Sequence, residues 1–222
     1  KNEYMDKRTF DRKQLDIKLL FEMLEEEPEN PRHLYYLAQT YNLLEDYEKT
    51  AEFFEKRIHH YNVGFIQEKI DACFELGRLY NFKLNKPWNI CEELYLKCYE
   101  MDKTRPDSLY FIGIHYYLNE DRKTAFNYFK QAFNIGYPIH AQYSLKPTLS
   151  FHFLPKFLTE LCYEFEDFIL GEKVKIFETN FSKYLGKYGY LPCTNPSFDK
   201  NGMLNSFIGD RASNSANILG FS

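Results

Sequence analysis

The 222-residue chain carries 28 Lys and Arg against 32 Asp and Glu, a net charge of −4 with a pI near 5.9. Without a basic block it cannot neutralise a row of phosphates, which excludes a general nucleic-acid binder. It also has no apolar run of about 18 residues and no secretory h-region, so neither a spanning helix nor a signal segment is expected within these residues.

The composition favours a packed aromatic core. Hydrophobic residues make up 44% and charged residues 27%, and 19 Tyr and 21 Phe are available to fill space between helices. The chain opens on Lys1 and not on methionine, as expected of a piece of a longer protein.

Taken in order, residues 1–10 are polar with little periodicity. From Phe10 to Glu27, the apolar positions Leu15, Ile17, Leu19, Leu20, Met23 and Leu24 predict a leading helix, within a segment 1–30. Pro28 and Pro31 in EEEPENPR stop it, and Pro31 suits the first position of the next helix. Leu34, Leu37, Ala38 and Tyr41 then fall at i, i+3, i+4 and i+7. After a break at Leu44-Glu45-Asp46, the residues Tyr47, Thr50, Ala51, Phe54 and Ile58 do the same. Together they make a helical hairpin.

The hairpin recurs. Cys73, Leu76, Gly77 and Tyr80 repeat the first stripe, as do Leu109, Ile112, Gly113 and Tyr116. Ala38, Gly77 and Gly113 occupy one place, where helices must approach closely. The second helices align as Tyr47/Thr50/Phe54, Trp88/Cys91/Tyr95/Cys98 and Arg122/Ala125/Phe129/Ala132, with a longer turn, NFKLNKPWN, in the middle unit. Three hairpins over 31–138 at a period near that of a tetratricopeptide repeat predict an all-α fold, an α-solenoid.

Past Pro138 the pattern loosens. HAQYSLKPTLSFHF is expected to be an irregular crossing. An apolar-aromatic helix from Pro155 to Leu170, ended by Gly171, and another through Val174 to Leu185 form a degenerate capping pair within 139–186. Residues 187–222 gain glycine and proline, and Asp199-Lys200-Asn201-Gly202 signals a turn. This last segment is expected to be a linker, a tail, or the start of a further domain.

The chemistry-bearing residues form no catalytic pattern. Cys73, Cys91, Cys98, Cys162 and Cys193 are odd in number and lack CxxC spacing, so they signal neither zinc nor a disulfide framework. They are expected to be reduced core thiols, which places the chain in a reducing, cytoplasmic compartment. His33, His59, His60, His115, His140 and His152 form no HxxxH or HExxH pattern. Glu164, Glu166 and Asp167 are expected on a solvated helix face. No cofactor and no metal are expected in this chain, and no DxD motif is present.

These residues also carry a resemblance. DIKLLFEMLEEEPENPRHLYYLAQTYNLLEDYEKTAEFFEKRI, continued by CFELGRLYNFKLNKPWNICEELYLKCYEMDKTRPDSLYFIGIHYY, resembles the repeat region that follows the catalytic domain in family-two glycosyltransferases of bacteria and large DNA viruses. The likeness covers residues 10–185. It implies a non-catalytic tetratricopeptide-repeat domain that organises the catalytic domain, its acceptor or self-association. Relatives often begin the crossing with clustered aspartates, which HAQYSLKPTLSFHF lacks.

In a tetratricopeptide superhelix the second, fifth, ninth and twelfth places of each first helix line the inner groove. Here those are Arg32, Tyr35, Gln39 and Asn42, then Asp71, Phe74, Arg78 and Asn81, then Asp107, Tyr110, Ile114 and Tyr117. They are the expected contacts to a protein or peptide partner, or to a flanking catalytic domain, with Tyr and Arg as anchors. A carboxylate clamp of the chaperone-binding kind is not expected. Its Lys and Asn places hold Tyr35, Gln39, Asp107 and Phe111. The alternative reading is an independent scaffold that uses the same groove.

Overall fold

The computed structural model describes residues 3–28, 30–59, 64–138, 141, 143, 146, 149–188, 196–198 and 204–207. The chain forms two compact units, Lys1–Cys98 and Tyr99–Ser222. The first holds α1 (Glu3–Glu26), α2 (Pro31–Leu43), α3 (Tyr47–His59), α4 (Ile66–Phe82) and most of α5 (Trp88–Met101). The second holds α6 (Asp107–Leu118), α7 (Arg122–Ile135), a π-helical turn (Leu149–Phe153), α8 (Leu154–Glu164) and α9 (Phe168–Tyr188). It also holds the short antiparallel strands β1 (Pro196–Phe198) and β2 (Leu204–Phe207). The fold is all-α, of the tetratricopeptide-like solenoid class, with α2–α3, α4–α5, α6–α7 and α8–α9 as its hairpins.

The α2–α3, α4–α5 and α6–α7 hairpins each close around an aromatic contact. In the first unit, a Cβ on Gly77 would lie 3.0 Å from Cε1 of Tyr95; in the second, a Cβ on Gly113 would lie 2.6 Å from Cε1 of Phe129. The ring takes the space that the glycine leaves. A second ring three residues earlier on the same helix completes the contact. Tyr35 meets Phe54 with centroids 6.2 Å apart, Phe74 meets Tyr95 at 6.1 Å, and Tyr110 meets Phe129 at 5.7 Å. Outer stacks recur too: Tyr41 on Phe53 and Tyr116 on Tyr128 are both within 5° of parallel.

The turns recur as well. After α2, the Glu45 N–H donates to Asn42 O and the Asp46 N–H to Tyr41 O, both at 3.1 Å. This is a Schellman end. Glu45 occupies the left-handed position (φ 62°), which most helices give to glycine. The Asp46 carboxylate then accepts the Lys49 N–H at 3.2 Å, so one residue ends α2 and caps α3. Glu120-Asp121 and Glu166-Asp167 repeat the device, with φ 63° and 60° at the glutamates. Their aspartates accept the N–H of Thr124 at 3.1 Å and of Leu170 at 3.3 Å. The α4–α5 connection is longer, as its sequence predicts, and uses Asn85 at φ 48°.

Several expectations are corrected. α1 begins at Glu3 and not at Phe10, because straight-chain Lys, Arg and Glu propagate a helix without an apolar stripe. α8 stops at Glu164, short of Leu170, so Glu166 and Asp167 lie in the connection and not on a helix face. Gly171 ends nothing. It is buried within α9, where a Cβ would sit 3.2 Å from that of Cys162. The crossing ends in the π-helical turn, which runs directly into α8. Its residues 139, 140, 142, 144, 145, 147 and 148 lie outside the described residues, as does the expected turn at 199–202 between β1 and β2.

Cys73, Cys91, Cys98 and Cys162 are buried free thiols, as expected, and Cys193 lies outside the described residues. Burial pushes the Cys162 thiol up to about 11. Among the described residues, no helix is long and apolar enough to cross a membrane.

The glycine contacts give an ordered prediction. Gly113→Ala overpacks Phe129 and should cost about 1–3 kcal/mol. Gly77→Ala meets Tyr95 less closely, and the alanine's better helix propensity, about 1 kcal/mol, offsets much of its cost. Glu120→Gly relieves a left-handed non-glycine residue and should stabilise by roughly 0.5–1 kcal/mol. Urea denaturation should rank them Glu120→Gly, Gly77→Ala, Gly113→Ala from most to least stable. Any other order contradicts the packing described.

Candidate functional site

The inward row of the first unit is a bonded array and not a set of separate side chains. Arg32 and Asn42 on α2 are exposed; Gln39 on α2 and Arg78 and Asn81 on α4 are half-buried. Tyr35, Asp71 and Phe74, expected on the same presented face, are buried instead. Their burial has a direct cause. The fifth place carries the ring that fills the hairpin, and Asp71 is drawn in by it. The Tyr35 hydroxyl donates to Asp71 Oδ2 at 2.6 Å, and Gln39 Nε2 donates to the same hydroxyl at 2.7 Å. This chain of bonds ties α2 to α4. Arg78 Nη1 donates to both oxygens of Glu75, at 2.8 and 3.1 Å, which fixes its guanidinium along α4.

At the entry to the row, Arg32 Nη2 donates to the Tyr36 hydroxyl at 3.3 Å, and Arg32 Nε lies 3.8 Å from Glu68. Beneath it, Arg57 is fully buried, and its Nη2 donates to the Phe65 carbonyl at 2.9 Å. Burial lowers the Arg57 pKa, opposed by the nearby Glu68 charge. Farther along, Tyr80 donates to Glu55; burial first, then that bond, raises its pKa.

In the second unit the expected row divides in the same way. Asp107, Tyr110 and Ile114 are buried, and Tyr117 is half-buried. Asp107 accepts from Arg105 Nε at 3.2 Å in an ion pair whose two side chains are 1% and 2% exposed. Tyr110 packs into the hairpin with its ring tilted against Phe129, and burial raises its hydroxyl pKa. Tyr117 reaches α8. Its hydroxyl donates to Glu160 at 2.8 Å, its ring meets Phe157 at 5.0 Å, and the Arg122 guanidinium lies over it at 4.8 Å.

Sequence reading misses the strongest polar cluster of this unit. Arg122 donates to Glu160 at 2.5 Å and to Glu164 at 2.6 Å, while Lys130 donates to Asp167 at 2.7 Å. The signal was the basic residues of α7 set against the acidic ones of α8 and its turn. Read by α8 alone, those acids look merely solvated. Among the described residues, no group of three or more His, Cys, Asp or Glu is placed to hold a metal ion. His60 and His140 lie outside the described residues; His152 Nδ1 is 3.0 Å from Glu178.

No protein-family model and no curated protein matches the chain. Solved structures do. MamA matches with a TM-score of 0.57 at 14% identity, over 84% of this chain and 91% of that one. PilF of Pseudomonas aeruginosa matches at 0.53 and 14%, over 80% and 75%. BtubC of P. vanneervenii matches at 0.53 and 19%, over 82% and 71%. At such identities the likeness carries the fold, the tetratricopeptide-like helical array, and nothing of what the chain binds.

The Arg122 cluster has a pH signature. The hydrogen bond from Arg122 holds the Glu160 carboxyl below its usual range, and that from Lys130 does the same for Asp167. A depressed carboxylate contributes stability above its unfolded pKa, about 4.3 for Glu, and loses it as pH falls through the folded value. Arg122→Ala should therefore lower Tm most at pH 7, with the gap to the parent narrowing toward pH 3. Calorimetry across that range checks it, and a constant gap would refute the ion pair.

Proposed function

We propose that the chain is a non-catalytic interaction scaffold, and that it serves a larger glycosyltransferase by organising the catalytic domain, its acceptor or self-association. One observation carries the scaffold reading: the inward row of the first unit is held in place by the chain's own bonds before any partner arrives. Tyr35, Asp71 and Gln39 lock α2 to α4, and Glu75 holds Arg78. A surface whose polar groups are already oriented loses less conformational entropy on association, so more of its contact energy remains as affinity. The exposed members, Arg32 and Asn42 with half-buried Gln39 and Arg78, offer hydrogen-bonding side chains to an extended segment of another protein. The link to a glycosyltransferase is supported by the sequence resemblance over residues 10–185.

Site-specific photo-crosslinking in the native host tests both levels. A benzoylphenylalanine at Asn42, on the inward row, should capture a discrete protein or a flanking glycosyltransferase domain. The same residue at Glu100, on α5, serves as the control. Capture of a glycosyltransferase or its acceptor supports the full reading. Capture of some other protein leaves the scaffold and removes the glycosyltransferase. Equal labelling from both positions, or none from Asn42, overturns the scaffold.

A further inference from the structure

We propose that the cleft where α2 and α4 begin is a socket for the guanidinium of an arginine side chain presented by a partner protein. The cleft is wide and open to one side, with a volume of about 780 Å³. Pro28, Pro31 and Phe65 give it apolar walls, and Glu68 lies at its base. Two features of Glu68 point to a missing donor. Its side chain is only 1% exposed, and neither carboxylate oxygen accepts a hydrogen bond from the described residues. Buried carboxylates ordinarily accept several, and leaving those sites empty is costly.

The charged groups around it are few. Arg57, buried beneath, spends Nη2 on the Phe65 carbonyl and leaves Nε and Nη1 without hydrogen-bond partners. It balances the Glu68 charge without donating to it. Arg32 approaches to 3.8 Å through Nε, beyond hydrogen-bond distance, and its side chain is 62% exposed. Glu27, also lining the cleft, makes the rim acidic, and it is engaged with Asn30 and His33. The net arrangement is a carboxylate without donors among the described residues, behind a cation that approaches it only to 3.8 Å, between apolar walls.

Arg32 is the natural gate. Its guanidinium already lies 5.6 Å from the centroid of the Tyr36 ring and bonds the Tyr36 hydroxyl, so it keeps partners when Nε leaves Glu68. An incoming guanidinium can then make the paired bonds that Arg32 does not, with its methylene stem against Phe65 and the prolines. Gly64 sets the width. It sits at φ 78°, and a Cβ there would lie 2.8 Å from Pro31 Cγ.

This inference stands apart from the scaffold reading, because it is measured on the chain itself with small probes. Amide chemical shifts of Phe65 and Glu68 are followed by NMR during titration with n-butylguanidinium, with its neutral isostere n-butylurea, with free arginine, and with an acetyl-Ala-Arg-Ala-amide peptide. The guanidinium and the peptide should shift both amides with saturation; butylurea should not. Arg32→Gln, an exposed change that leaves the fold intact, should tighten butylguanidinium roughly tenfold by removing the competitor. Phe65→Ala should weaken it severalfold, and Glu68→Gln should abolish it. Saturation by free arginine equal to that by the peptide would reassign the site from a partner protein to a metabolite and overturn the proposal. An unchanged or weaker affinity in Arg32→Gln, or a response to butylurea equal to that of butylguanidinium, would overturn it as well.

Discussion

The α4–α5 and α6–α7 hairpins depend on one steric contact, a glycine on the first helix facing an aromatic ring on the second. At Gly113 the missing Cβ would fall 2.6 Å from Phe129, and at Gly77 3.0 Å from Tyr95. A glycine inside a helix costs about 1 kcal/mol of propensity against alanine. Here that cost is offset by a buried ring, which contributes its apolar area and its edge contacts to neighbouring rings. The close approach also fixes the rotation of each helix about its axis. Rotation decides which side chains face inward, so it governs the surface that α4 and α6 present.

That rotation explains the composition of the inward row. With Gly77 or Gly113 against the ring, the residue three places earlier turns into the same contact. Tyr35, Phe74 and Tyr110 therefore bury almost completely, and the fifth place of each repeat is structural in this chain. The second, ninth and twelfth places divide between bonded support and exposure: Asp71 and Asp107 turn inward to donors, while Arg32 and Asn42 remain outward. What a partner can touch is a narrower and more polar strip than the repeat pattern alone implies.

The hairpins were legible because their period is written in side-chain size. Ala38, Gly77 and Gly113 fall at one place, and the apolar stripes around them agree. The hairpin ends were less legible. Helices commonly stop at glycine in the left-handed conformation, so Gly171 looked like a terminator, whereas this chain assigns that conformation to Glu45, Glu120 and Glu166. The repeated Glu-Asp pair was the available signal, since the aspartate caps the following helix. Gly171 instead permits close packing on Cys162, which only the fold reveals. The site was legible in position but not in state. Periodicity locates Tyr35 and Asp71 on one face, yet their mutual bond depends on how α2 and α4, with α3 between them in the chain, come together.

The buried polar pairs bear on how one hairpin selects its neighbour. Apolar stripes that repeat so closely would accept several partners, because Leu, Ile and Phe pack against one another with little discrimination. A buried carboxylate does not. Asp71 requires a donor, and Tyr35 supplies one at 2.6 Å across the helix pair. The equivalent Phe74 has no hydroxyl to offer, and Asp107 takes its donor from Arg105 within its own unit. Removing either donor would leave a buried carboxylate short of a partner, at a cost of several kcal/mol. The apolar pattern thus makes the repeats alike, whereas their two buried aspartates take unlike donors, Tyr35 and Arg105.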